Sequence, residues 1–178
     1  MSQNARPLMR VDNTPTGATL ITSRLNHGSL DAEILSRDRE RLHIIYVQTD
    51  ADHLRRGIAS SLITSTIRGA ILAGGETFQS VEFPVINPVV VPLLGRIFDG
   101  SIVWYAEQED KDTCSNPLDP ATAQTLLESR EAQSEAFKLN GLDFPDDFDP
   151  GIYAVVSLDP AQISQWVMPH VIFVDNLF

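Results

Sequence analysis

The stretch Tyr46-Val47-Gln48-Thr49-Asp50-Ala51-Asp52-His53-Leu54-Arg55-Arg56-Gly57-Ile58-Ala59-Ser60-Ser61-Leu62-Ile63 passes from an apolar strand, through a polar loop, into an amphipathic helix. The first turn of such a helix offers backbone N–H groups without intrahelical partners, and the positive end of the helix dipole lies at the same point. A junction of this kind suits phosphate. Gly57 lets the backbone approach an anion closely, and Ala59, two residues on, keeps the next contact small. Arg55 and Arg56 can reach flanking phosphates. Upstream, Leu42 to Thr49 predicts a strand whose run Ile44, Ile45, Tyr46, Val47 is too continuously apolar for a solvent-facing edge. Downstream, apolar residues at 58, 59, 62, 63, 67, 70 and 71 predict a helix over Ile58 to Ala73 lying on a sheet, ended by Gly74-Gly75.

Composition bounds the rest. The chain has 178 residues, 43% hydrophobic and 21% charged, enough for one modest domain with its own core. A single cysteine, Cys114, excludes an internal disulfide framework and fits a reducing compartment. The N-terminus has no apolar signal core, and no apolar run approaches the roughly 20 residues of a membrane span, so a cytoplasmic protein is expected. The net charge of −11 is unevenly placed. Residues 1–106 carry ten acids and ten bases, whereas 107–149 carry twelve acids and three bases. Nucleic acid is therefore not an expected partner, since phosphate backbones need a basic stripe. The acidic run reads most simply as a solvated surface. The organisation expected is a core over 1–106 and an acidic C-terminal extension over 107–178.

Working outward, a short strand is expected near Leu8–Val11. Ala18 to Leu25 and Ser29 to Ser36 read as a hairpin turned at Asn26-His27-Gly28 with the glycine supporting the turn. Ser80 to Ile86 alternates Val81, Phe83 and Val85 against polar residues and Pro84, the pattern of a strand. Asn87 to Phe98 predicts a short helix and Ile102 to Ala106 a strand. Asp119-Pro120 and Asp159-Pro160 both pair an N-cap with proline at the first helical position. The first of these helices runs to Asn140 with a thin apolar face of Leu126, Leu127, Ala136, Phe137 and Leu139. Residues 142–150 form an acidic connector whose carboxylates miss calcium-loop spacing, and no metal site is expected. Tyr153 to Leu158 and Val171 to Val174 predict two further strands.

The run Leu54-Arg55-Arg56-Gly57-Ile58-Ala59 resembles the acetyl-coenzyme-A signature of the GNAT N-acetyltransferase superfamily, [Q/R]-x-x-G-x-[G/A] between the fourth strand and third helix. The glycine and the small residue match; Leu54 replaces the leading Gln or Arg. The strand and helix order over residues 18–106 is also similar to that family. The resemblance implies an α/β (α+β) fold: a mixed, largely antiparallel sheet flanked by helices. It implies acetyl-CoA as cofactor, held through Val47, Thr49, Leu54, Arg55, Arg56, Gly57, Ile58, Ala59, Ser60 and Asn87. It further implies that the Val47 N–H polarises the thioester carbonyl and that the strand after the helix splays to admit the pantetheine arm.

Direct acetyl transfer needs a base for the amine, an oxyanion stabiliser and an acid for the leaving thiolate. His43, three residues before Tyr46, lies near the family's usual glutamate base; the plain alternative is an ordinary strand histidine. Glu82 is the second candidate base, with a solvated strand position as its alternative. The family's tyrosine acid falls on Leu94 here, which leaves Tyr105 or Tyr46 as substitutes. The family also places two helices between its first two strands, and this sequence has no room for them. The acceptor site is then either open, which suits a protein or peptide amine, or walled by the acidic C-terminal segment, which suits a cationic acceptor such as a lysine or polyamine.

Three readings stand. One is an acetyl-CoA-dependent N-acetyltransferase, another a GNAT-like binding or structural subunit that has lost catalysis, and the third an unrelated α/β protein whose Gly57 only caps a helix. Short GNAT-like proteins of this style also occur in bacterial viruses. The C-terminal segment is the expected route to a homo-oligomer or protein partner.

Overall fold

A computed structural model describes residues 6–74, 78–98, 101–106, 117–139, 151–166 and 171–175, with the backbone alone over 133–139. The elements in chain order are β1 (Leu8–Asn13), β2 (Thr19–Leu25), β3 (Gly28–Leu35), β4 (Asp38–Thr49), a 3-10 turn (Ala51–His53), α1 (Ile58–Gly74), β5 (Ser80–Val85), α2 (Val90–Phe98), β6 (Ile102–Ala106), α3 (Pro120–Leu139), β7 (Ile152–Ser157), α4 (Pro160–Gln165) and β8 (Ile172–Phe173). Eight strands and four α-helices among the described residues make the mixed, largely antiparallel α/β fold that the sequence predicts. None of these helices is long and apolar enough to cross a membrane. The chain divides into two compact units, Met1–Phe83 with Ser157–Phe178, and Pro84–Val156.

In the first unit β1 to β4 form an antiparallel meander, β8 runs parallel to β1, and β5 runs parallel to β4. Helix α1 packs on β1 to β4. Strand periodicity decides which side chains it covers. Ser23 on β2 accepts a 2.8 Å hydrogen bond from the Thr66 hydroxyl of α1, so Ser23 faces the helix. Its cross-strand partner Leu30 and the pair Ile21–Ala32 share that face and are buried. Leu62, Ile63, Ile67 and Ala70 supply the helix side of this core, as the spacing predicts.

Two expectations are corrected. The β2–β3 turn is Asn26-His27, and His27, not Gly28, adopts the left-handed conformation, at φ 67°. Gly28 is needed for space: a Cβ there would stand 2.6 Å from Ile58 Cγ2 and 3.0 Å from Gln48 O. The apolar run of β4 is not continuously buried, since Ile45 and Tyr46 are 48% and 40% exposed. The register explains this: Asp31 pairs with Tyr46 and Ala32 with Ile44, which leaves Ile45 as an inserted bulge residue. Burial on β4 therefore follows even numbers at Leu42 and Ile44 and changes parity beyond the bulge.

In the second unit β6 and β7 are antiparallel, pairing Tyr105 with Tyr153, while Trp104, Ala123 and Leu127 are buried. Asp119 caps α3 by accepting the Thr122 N–H at 3.0 Å. The expected apolar positions Ala136, Phe137 and Leu139 lie outside the described side chains, and Leu126 is exposed. Residues 142–150 also lie outside the description.

Candidate functional site

Between Thr49 and Ile58 two residues adopt the left-handed conformation, Arg55 at φ 62° and Gly57 at φ 78°. An added Cβ at Gly57 would meet nothing within 4 Å, so the glycine borders open space rather than packed protein. Its φ is one that other side chains adopt at a cost of about 1–2 kcal/mol. The Gly57 carbonyl accepts the Ser61 N–H at 2.9 Å, which starts α1. The N–H groups of Ile58, Ala59 and Ser60 therefore lie in the turn that has no intrahelical acceptor. Arg55 and Arg56 are exposed and form no ion pair among the described residues. Leu54 is 59% exposed and points no polar group at the loop. Unfilled space over a left-handed glycine, first-turn N–H groups and two uncommitted guanidinium groups fit a pyrophosphate. Coenzyme A carries one, so these residues fit its phosphate end.

Val47 and Thr49 stand opposite Leu30 and Gly28, on the α1 side of the sheet and partly exposed. Asn87 lies in the turn before α2, its Oδ1 accepting the Val89 N–H at 3.0 Å. Leu94, in the place of the family tyrosine, is fully buried. Tyr105 is half-buried on β6.

The two candidate bases come together. His43 and Glu82 are register partners on parallel strands, with Nδ1 3.2 Å from Oε1, and their side chains are 20% and 22% exposed. Two residues that sequence reasoning missed complete the cluster. Arg41 donates to Glu82 Oε2 at 2.8 Å, and Asp38 Oδ2 lies 3.5 Å from His43 Nε2. Their only sequence signal is the i, i+2 spacing of Arg41 and His43 on one strand face.

The electrostatics follow from this geometry. The hydrogen bond to Glu82 raises the His43 pKa above its ordinary 6.5, against an opposing effect of burial. The same bond, with help from Arg41, holds Glu82 below its ordinary 4.5, again against burial. Glu82 is thus ionised at neutral pH, and Nδ1 donates to it. Nε2, the atom that would take a proton from an acceptor, is buried without a hydrogen bond. Asp38 sits at the hairpin tip opposite Leu35. On the same face of the sheet, which points away from α1, lie Asp31 and Glu33 from β3. Asp31, Glu33, Asp38 and Glu82 share that face with Arg24 and Arg41, which pair with Asp31 and Glu82, and with the Arg10–Asp12 pair of β1.

No family model matches the sequence, and no curated protein does. Among solved structures, a nourseothricin acetyltransferase is similar at TM-score 0.47 and 10% identity, covering 87% of this chain and 86% of that one. The diaminobutyrate acetyltransferase of Paenibacillus lautus, solved with its substrate and coenzyme A, is similar at TM-score 0.42 and 16% identity, covering 78% and 69%. A Bacillus subtilis acetyltransferase in complex with CoA is similar at TM-score 0.41 and 12% identity, covering 80% and 78%. The order β2-β3-β4-loop-α1-β5-α2-β6 is the one expected from the GNAT resemblance, with a plain hairpin turn at Thr14–Ala18 where that family inserts two helices. Among the described residues the chain shares that element order and joins β1 to β2 without an intervening helix.

Proposed function

We propose that the chain is an acetyl-coenzyme-A-dependent N-acetyltransferase acting on a positively charged amine. The observation that carries this reading is the Gly57 loop, with its left-handed glycine, its open space where a Cβ would project, and α1 beginning behind it. The coenzyme supplies an acetyl group activated as a thioester. The first turn of α1, with Arg55 and Arg56, would bind its phosphates. His43 and Thr49 lie six residues and about 20 Å apart on one strand, which suits an extended cofactor whose phosphates and reacting end are far apart.

His43, oriented by Glu82, takes the acceptor proton on Nε2 once Asp38 has moved aside. Its raised basicity favours that transfer from a cationic amine. The carboxylates nearest to it, Glu82 and Asp38 beside the ring and Glu33 as its register partner, attract such an amine. The Val47 N–H is the proposed donor to the developing oxyanion.

Calorimetric titration of the full chain with acetyl-CoA tests the reading. Gly57→Asn is the paired variant, because asparagine tolerates the left-handed backbone yet fills the open space. Micromolar binding that the variant loses, at unchanged melting temperature, supports the site. Absence of binding by the folded wild type overturns it. Thiol release with lysine peptides, N-terminal peptides and polyamines then identifies the acceptor, and Tyr105→Phe in that assay tests the leaving-group acid.

A second reading, coenzyme binding without transfer, is favoured by the occluded Nε2 of His43 and by buried Leu94 in place of a tyrosine. Binding with no thiol release for any acceptor would select it.

A further inference from the structure

We propose that His27, Asp50 and His53 form a site for a divalent transition-metal ion of zinc type. One ligand atom from each side chain lies within 4.8 Å of the others. His27 Nδ1 is 3.1 Å from Asp50 Oδ2, and the two imidazole rings stack with centroids 3.5 Å apart and planes 5° from parallel. His53 Nδ1 is buried and has no hydrogen-bond partner, so one strong donor or acceptor of this cluster goes unused within the protein.

The backbone that carries the three residues is already joined. Gly28 and Thr49 are register partners at the end of the β3–β4 pair, and the Asp50 N–H donates to the His27 carbonyl at 2.9 Å. The His53 N–H in turn donates to the Asp50 carbonyl at 2.9 Å. Bringing the ligands together therefore needs little backbone ordering. Two imidazole nitrogens and a carboxylate are the donor set of zinc and its neighbours rather than of calcium or magnesium. With three protein ligands, one position stays open to water or another group.

The stacked rings set one condition. Parallel planes cannot both contain one ion, so one imidazole must turn about its Cβ–Cγ bond. A tetrahedral ion with bonds of about 2.0–2.1 Å holds its ligand atoms about 3.4 Å apart, so the set contracts by about 1.4 Å at most. His27 occupies a two-residue turn with its side chain 47% exposed, which leaves it room to rotate. A bound ion would tie the turn of the β2–β3 hairpin to the loop that continues into Leu54–Gly57, and so would order that loop.

The test uses the untagged full chain, stripped with chelator and dialysed, then titrated with Co2+ by visible absorption and with Zn2+ by calorimetry. One equivalent of tetrahedral cobalt signal is expected, displaced by zinc, with added amide-exchange protection over residues 51–57. His53→Ala, Asp50→Asn and His27→Asn should each weaken zinc binding at least about tenfold, since even outer-shell losses cost 10–100-fold. Asparagine is chosen at 27 because it tolerates the left-handed backbone. Melting temperatures of the metal-free variants, matched to wild type, show that the fold is kept. No binding overturns the proposal. So does zinc binding that survives in the His27→Asn/His53→Ala double variant or that is lost instead in His43→Gln.

Discussion

His43 and Glu82 meet across the parallel β4–β5 pair with Nδ1 3.2 Å from Oε1, and each shifts the other away from its ordinary pKa. Because the His43 pKa is raised on folding, its contribution is fully present below 6.5 and fades as pH rises through the folded value. Because the Glu82 pKa is lowered, its contribution is present above 4.5 and is lost as pH falls through the folded value. The bond thus stabilises most between about pH 4.5 and 6.5. Denaturation of wild type against His43→Gln should show a gap below about 1 kcal/mol, larger at pH 6 than at pH 9. The histidine titration followed by NMR should move down in Glu82→Gln, where burial acts without the carboxylate. An unmoved titration would show that the two side chains do not interact.

In the transferase reading, Glu82→Gln and His43→Gln each lower kcat about 10²-fold with little change in the KM for acetyl-CoA. A loss confined to KM would place the pair in binding rather than chemistry.

Gly28→Ala and Gly69→Ala differ in what the new methyl meets. At Gly28 it meets Ile58 Cγ2 at 2.6 Å and the Gln48 backbone oxygen at 3.0 Å. Backbone cannot swing aside, so a loss of about 1–3 kcal/mol is expected, with weaker coenzyme binding as the start of α1 is pushed. At Gly69 it meets the flexible end of Met9, within a helix where alanine is favoured by about 1 kcal/mol over glycine. That variant should melt within a few degrees of wild type. Equal destabilisation of both would contradict this packing account.

Thr66 donates its hydroxyl proton to Ser23 at 2.8 Å, both fully buried. Thr66→Val strands the Ser23 hydroxyl and should cost about 1–3 kcal/mol. Adding Ser23→Ala removes the stranded group and should recover much of that loss in urea melts. Strict additivity of the two changes would deny the bond.

Arg55 holds a left-handed φ of 62° without being glycine. Arg55→Gly relieves that strain while loosening the unfolded chain, two effects of about 1 kcal/mol that oppose each other. Stability should hold and affinity for coenzyme A should fall with the lost charge. A steeper salt dependence in the variant than in wild type would argue against a phosphate contact at Arg55.

The sequence by itself determined the elements. Helix periodicity over 58–73, strand alternation over 80–85 and the Asp-Pro caps at 119 and 159 are local chemistry, legible within about a turn or a strand. It also located the Gly57 loop, because glycine at a strand-to-helix junction acts through its own backbone. Only the tertiary structure decided what depends on register between distant segments. The inserted Ile45 changes which residues of β4 are buried, a shift that no single-strand pattern contains. Gly28 reads as a turn glycine until α1 is laid against it, and then proves to be required by Ile58. Arg41, Asp38 and Glu82 gather around His43, and His27 stacks on His53, because β-pairing brings together residues 39 and 26 positions apart in the chain. Charge clusters of that kind are properties of a fold's register, which one sequence specifies through its whole core rather than through any local motif.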